Sequence, residues 1–293
     1  LRQSDFYSMM CDEATDVSNV SQLVVCLRWV DDELNAHDEF IGLKDMSATG
    51  TNANSIVREL KDVLLRMNLK LDKCRGQCYD GCSTMKGAKS GVVVRIKEEE
   101  KRALYTHCYT HSLNLAVGDT MKKSKTLKDA IDTTFELTKL VKKSPKRDAK
   151  LKSMQNEINE SDGDEFDKLL KSPKVTLFCP TRWTVRGQCL NGVIKNYDEL
   201  QRLWDWSVDN CSDTEMKARI RGVSSHTKQF EFCFGIHLAN LILGHSDNLS
   251  KSLQSTKLSA VEAQEIARCT VRTLKTLRND SNFGLFYEKL TKF

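Results

Sequence analysis

Over the first hundred or so residues the apolar positions switch between a period of two and a period near 3.6, and each switch predicts a change from strand to helix. Residues 6–11 form a short apolar run closed by Asp12 and Glu13, and residues 22–30 form a β-branched, aromatic-containing run after a Ser/Asn turn. Both read as strands. Residues 39–46 alternate apolar and polar side chains, and the polar stretch 31–35 before them reads as a turn, so the three segments predict an antiparallel meander. Thr51 or Asn52 is placed to cap a helix whose Ile56, Leu60, Val63, Leu64 and Met67 make one apolar stripe. A one-sided helix needs a sheet to cover. Residues 76–79 predict a short strand ending at Asp80-Gly81, residues 83–100 a second helix, and residues 104–108 a fifth strand.

Three strands, helix, strand, helix, strand is the element order of an RNase H-like α/β core with a mixed five-stranded sheet. From Ser112 the pattern changes to long stretches rich in Lys, Leu and Glu, interrupted by one strand-like run at 175–178 and by an acidic, Ser/Asn/Gly-containing stretch at about 156–167 that reads as a solvated loop. The expected organisation is therefore a core front part over 1–111 and a mainly α-helical insertion domain over 112–293. The C-terminal end of the core is not recognisable in the chain.

Composition narrows the class. At 293 residues and 40% hydrophobic the chain can bury one or two full cores. No apolar run approaches the roughly 18 residues of a membrane span, and the first residues lack a signal-peptide pattern, so neither a membrane partner nor secretion is expected. The 11 cysteines are scattered through predicted strands and helices, as reduced thiols of a nuclear or cytosolic protein are. A net charge of +5 permits nucleic-acid binding without demanding it.

Asp12 and Asp80 close the first and fourth predicted strands. In an RNase H-like sheet those strands are neighbours, so the carboxylates converge at one sheet end. Paired Mg²⁺ or Mn²⁺ ions in phosphodiester chemistry need such hard oxygen ligands, and more than two of them. Spacing alone fits equally well two turn aspartates at strand ends.

The words around them decide between these readings. Asp12-Glu13-Ala14-Thr15-Asp16 resembles the strand-end motif at the first catalytic Asp of hAT (hobo-Ac-Tam3) transposases, and residues 77–87, Gln-Cys-Tyr-Asp-Gly-Cys-Ser-Thr-Met-Lys-Gly, resemble the block around the second. Cys108-x-x-His111 followed by Leu113-Asn114-Leu115 resembles the third block of that family, and Thr181-Arg182-Trp183 a fourth, within the insertion. The four occur in the family's order. Among hAT proteins they look like the domesticated zinc-finger MYM-type and THAP-associated branch.

The resemblance implies a DNA transposase ancestry. Asp12 and Asp80 would be the first two members of an Asp-Asp-Glu triad that binds Mg²⁺ or Mn²⁺, with Cys108 and His111 supporting the active site. Glu262, Glu265 and Glu288 are late acidic residues without the family context, so no third member is assigned. The leading expectation is a truncated or domesticated, catalytically impaired transposase domain. Alternatives are a fragment of an active two-metal transposase and a non-catalytic interaction scaffold with protein partners or a second copy of itself. Cys108-x-x-His111 has zinc-ligand spacing, but no second pair follows, and zinc is not expected. Arg182 and Trp183 could contact DNA or anchor the insertion. Lys142, Lys143, Lys146 and Arg147 lie in the densest basic stretch, which fits phosphate contact or a solvated helix face.

Overall fold

The computed structural model describes residues 5–16, 18–161, 173–178, 186–255 and 258–291. They divide into two compact units, Leu1–Leu115 with Leu253–Ala260, and Ala116–Ser252 with Val261–Phe293.

The first unit is built on a mixed five-stranded sheet in the order β3-β2-β1-β4-β5, with β1 at Tyr7–Thr15, β2 at Ser21–Val30, β3 at Ala36–Asp45, β4 at Cys74–Tyr79 and β5 at Leu104–His107. The predicted meander is present: β1 pairs β2 and β2 pairs β3, both antiparallel, and Asp31 Oδ1 accepts the Glu33 and Asn35 amides in the turn. β4 then joins β1 in parallel and β5 joins β4 in parallel. Parallel neighbours require crossovers, which the helices α1 (Ala53–Arg66) and α3 (Val92–Glu99) supply. Asn52 is the cap of α1, its side chain accepting the Ser55 amide at 3.1 Å. The stripe Ile56, Leu60, Val63 and Leu64 is buried with Met9, Leu23, Val25 and Leu27 of the sheet and Val92 and Ile96 of α3, while Met67 ends up exposed as the helix C-cap.

Four expectations are corrected, the last of them in the helical unit described below. The helix expected over 83–100 is two helices, α2 (Ser83–Lys86) and α3, because the chain folds tightly between Gly87 and Gly91: a Cβ at Gly91 would lie 2.5 Å from the Gly87 nitrogen. β1 does not end at Asp12 but runs to Thr15, since Asp12 still pairs Val24 of the long antiparallel hairpin. Residues 173–178 form no strand. There the chain is irregular and buries Val175 and Phe178 against helices, with the Phe178 amide donating to Thr138 Oγ1 at 3.1 Å.

The second unit is helical: α5 (Lys125–Lys142), α6 (Pro145–Ser161), α7 (Arg186–Lys195), α8 (Tyr197–Asp209), α9 (Thr214–Thr227), α10 (Phe230–Leu253), α11 (Ala260–Leu277) and α12 (Asp280–Thr291), preceded by α4 (Tyr109–Lys123), which begins in the first unit. Its core joins Leu137 and Val141 of α5, Leu151 of α6, Leu190 and Val193 of α7, Leu200 and Trp204 of α8, Ile220 of α9 and Ala239 of α10. Asn196 ties the irregular segment to this core, donating to the carbonyls of Pro173 and Gly192 and accepting from Gln155. Because α6 continues to Ser161, the first part of the stretch expected to be a loop at 156–167 is helical; the rest of it lies outside the described residues.

Candidate active site

Strand register assembles the site. β1 and β4 pair Met10 with Cys78, so two residues further on Asp12 and Asp80 come level. β4 and β5 pair Tyr79 with His107, and the next step sets Asp80 beside Cys108, whose amide donates to the Tyr79 carbonyl at 3.0 Å. Asp12, within β1, and Asp80 and Cys108, one residue past the ends of β4 and β5, thus form a row across three adjacent strands, and side chains in one row share a face of the sheet. His111 follows in the first turn of α4 and hydrogen-bonds Cys108. The structure therefore brings Asp12, Asp80, Cys108 and His111 together.

Local turns hold the row. Asp80 Oδ1 accepts the Cys82 amide at 3.2 Å, and the Tyr105 hydroxyl donates to the Asp80 carbonyl at 3.2 Å. Asp12 Oδ1 accepts the Glu13 amide at 3.0 Å. At Gly81 only the lack of a side chain permits the chain to pass: a Cβ there would lie 2.7 Å from Cε1 and Nε2 of the His107 ring. His107 Nε2 is itself buried with no hydrogen-bond partner.

The charges in the row act on one another. Asp12 is open to solvent over much of its surface, yet partial burial of its carboxyl raises its pKa; the charge of His111 opposes this and that of Asp80 adds to it. Glu13 is raised too, by burial and then by Asp80 and Asp12. It is a member of the acidic cluster that the sequence motif contained but that the reading of Asp12 passed over. A hydrogen bond from Cys78 and the adjacent His111 hold the Cys108 thiol well below its ordinary pKa, and Cys78 is raised in return. The His111 imidazole is raised by Cys108 first, then by Asp12 and Asp80. Cys108 and His111 thus each favour the charged form beside two carboxylates.

This donor set fits a hard divalent cation through its carboxylates, Asp12 and Asp80 with Glu13 next to them, and not through the softer sulfur and nitrogen beside them. Among the described residues, no group of three or more His, Cys, Asp or Glu side chains is arranged to hold a metal ion. Glu265 and Glu288 lie on α11 and α12 of the second unit; Glu265 is occupied by Arg268 and Arg272.

The residues expected to meet DNA fare differently. Arg182 and Trp183 lie outside the described residues. Lys142 is committed to Asp148 at 2.6 Å, an acid it shares with Lys152. Lys143 is the exposed C-cap of α5. Lys146 and Arg147 open α6, where Lys146 Nζ stands 5.4 Å from the centroid of the Trp206 ring. Among the described residues no helix is long and apolar enough to cross a membrane.

A mixed five-stranded sheet with flanking helices, followed by a largely helical region, defines an RNase H-like core type of domain. The comparison with known families agrees: residues 2–91 match the family described as "DUF4371: ZMYM1/FAM200, RNase-like domain". Over residues 2–91 the chain is thus similar to a DUF4371-type domain, consistent with the transposase-derived, hAT-related, MYM- and THAP-associated branch. Among curated proteins it is 24% identical over 258 residues to the "52 kDa repressor of the inhibitor of the protein kinase" of Mus musculus, covering 87% of this chain and 33% of that protein. The Homo sapiens protein of the same name is 23% identical over 262 residues, with the same coverage of each chain. A "General transcription factor II-I repeat domain-containing protein 2" from Bos taurus is 28% identical over 93 residues, 32% of this chain and 10% of that protein. The chain spans about a third of the length of the first two relatives.

Proposed function

We propose that this chain is a domesticated transposase module that holds DNA in the nucleus and whose strand-cleaving chemistry is impaired. The observation that supports the reading is the row Asp12–Asp80–Cys108 with His111: the two carboxylates have beside them an imidazole whose pKa is raised. A positive charge at that place competes with a divalent cation for the same oxygens. Asp12 and Asp80 are the residues that would hold Mg²⁺ or Mn²⁺. Such an ion would supply charge stabilisation at a phosphodiester and an activated water. What the chain itself contributes is placement: the β1–β4 register sets the two carboxylates level, the Asp80 turn orients one of them, and the Cys108–His111 pair screens the other.

The test is a plasmid-nicking assay in Mn²⁺ alongside a DNA mobility shift. The proposal expects a shift with nicking no greater than that of Asp12→Asn. Nicking abolished by Asp12→Asn, or the absence of any shift, would overturn it.

A further inference from the structure

The helical unit contains a cavity of about 210 Å³ where α6 begins and α8 ends, lined among others by Ser144, Lys146, Arg147, Trp206, Ser207 and Asn210. No Asp or Glu is among its described lining residues. Three independent features of its wall favour an anion. Arg147 is half-buried, its Nε donates to the Leu140 carbonyl at 2.7 Å, and no carboxylate among the described residues pairs with its guanidinium, although Lys142, Lys152 and Arg219 nearby in the unit all have acidic partners. Ser207 is 3% exposed and its hydroxyl is buried with no hydrogen-bond partner. The 17-residue helix α6 opens at the cavity with Ser144, whose Oγ accepts the Arg147 amide at 3.4 Å, so its positive dipole end faces the same space. Lys146, near the Trp206 ring, adds a second cation at the rim.

A guanidinium taken partly out of water without a counter-charge is costly, and burial correspondingly pulls the Arg147 pKa down. A buried hydroxyl left unpaired adds to that cost. One tetrahedral oxyanion satisfies both, because the guanidinium fork and a hydroxyl match phosphate oxygens.

We propose that this cavity binds a phosphate group, through Arg147, Ser207 and Lys146. The phosphate is carried by a nucleic-acid backbone or is free in solution. The backbone source rests on the DNA-holding reading above; the pocket itself does not.

Titration calorimetry on the full chain at fixed ionic strength, with inorganic phosphate and with a short DNA duplex as separate probes, tests this against Arg147→Gln, Lys146→Gln and Ser207→Ala. Arg147→Gln should weaken binding about tenfold or more, the size expected for a lost charged hydrogen bond. Since that change also removes the bond to Leu140, Ser207→Ala is the variant that leaves the helix joint intact, and it should weaken binding by a few-fold. Loss of duplex and phosphate binding together identifies the backbone as the source, and Lys146→Gln should then lower the salt dependence by about one ion. Phosphate binding that responds to the variants while no duplex binds supports the pocket and overturns the DNA reading. Duplex binding that ignores all three variants, with no phosphate binding, overturns the pocket and leaves the DNA reading standing. No binding of either probe overturns both.

Discussion

Gly81→Ala probes the joint on which the carboxylate row depends. The added Cβ would sit 2.7 Å from two atoms of the His107 ring, well inside van der Waals contact, and the ring closes the end of β5. Either His107 swings away or the Asp80-Gly81 turn shifts. Overpacking of this kind costs about 1–3 kcal/mol. The ring is the obstacle, so the cost should be largely absent in a His107→Ala background, giving a coupling energy of about 1–2 kcal/mol in a double-mutant cycle. His107→Ala alone should cost little beyond lost packing, since the Nε2 it removes has no partner to orphan. Hydrogen-exchange mass spectrometry of peptides from β1 and β4 reads the stability of this unit apart from the helical one. Equal destabilisation by Gly81→Ala in both backgrounds would refute the reasoning, as would a Gly81→Ala protein as protected as the parent.

Other expectations use the same readout. Gln77 is buried and its Nε2 donates to the carbonyls of Val93 and Ala103, so Gln77→Ala should cost about 2–4 kcal/mol through the two lost hydrogen bonds and a void. Asn52→Ala removes the cap of α1 and should cost about 1 kcal/mol, with the loss of protection starting at the first turn of the helix. Glu100 accepts three hydrogen bonds from Arg102, and these hold its pKa down at about 2 against an ordinary 4.5. A depressed carboxylate stabilises the fold above its unfolded pKa and loses that contribution as pH falls through the folded value. The stability gap between the parent and Glu100→Gln should therefore be constant above about pH 4.5 and close between there and pH 2; a gap that widens on acidification would reverse the sign.

Much of the sheet was legible because its signals are local. The run over residues 22–30 and the stripe from Ile56 to Leu64 each follow from burial of one face, and the structure buries those faces; β3 has the alternation but leaves Phe40 and Leu43 exposed. The misreadings came from forces that sequence pattern does not carry. Val175 and Phe178 have the composition of a strand, but among the described residues no strand neighbours them, and they are buried as irregular chain against helices. The length of β1 beyond Asp12 is set by the partner hairpin rather than by β1's own residues.

The site divides in the same way. Asp12 and Asp80 were found from motif words, and the parallel β1–β4 register explains why those words sit where they do. Glu13 was present in the motif yet passed over, since only the fold shows that Asp80 acts on it as well as on Asp12. That Lys142 is spent on Asp148 while Arg147 has no acidic partner among the described residues could not be read from a basic stretch, because pairing in that helical unit is decided by which acid the helix turn brings near.

The central claim is that Asp12 and Asp80 form one carboxylate pair at the end of the sheet. Paramagnetic broadening of amide resonances on adding Mn²⁺ tests it most directly, since even a weakly held ion broadens what it approaches. The account predicts broadening centred on residues 11–13 and 80–82, removed by Asp12→Asn and equally by Asp80→Asn. Broadening that persists unchanged in the double variant, or that responds to only one of the two substitutions, would contradict it.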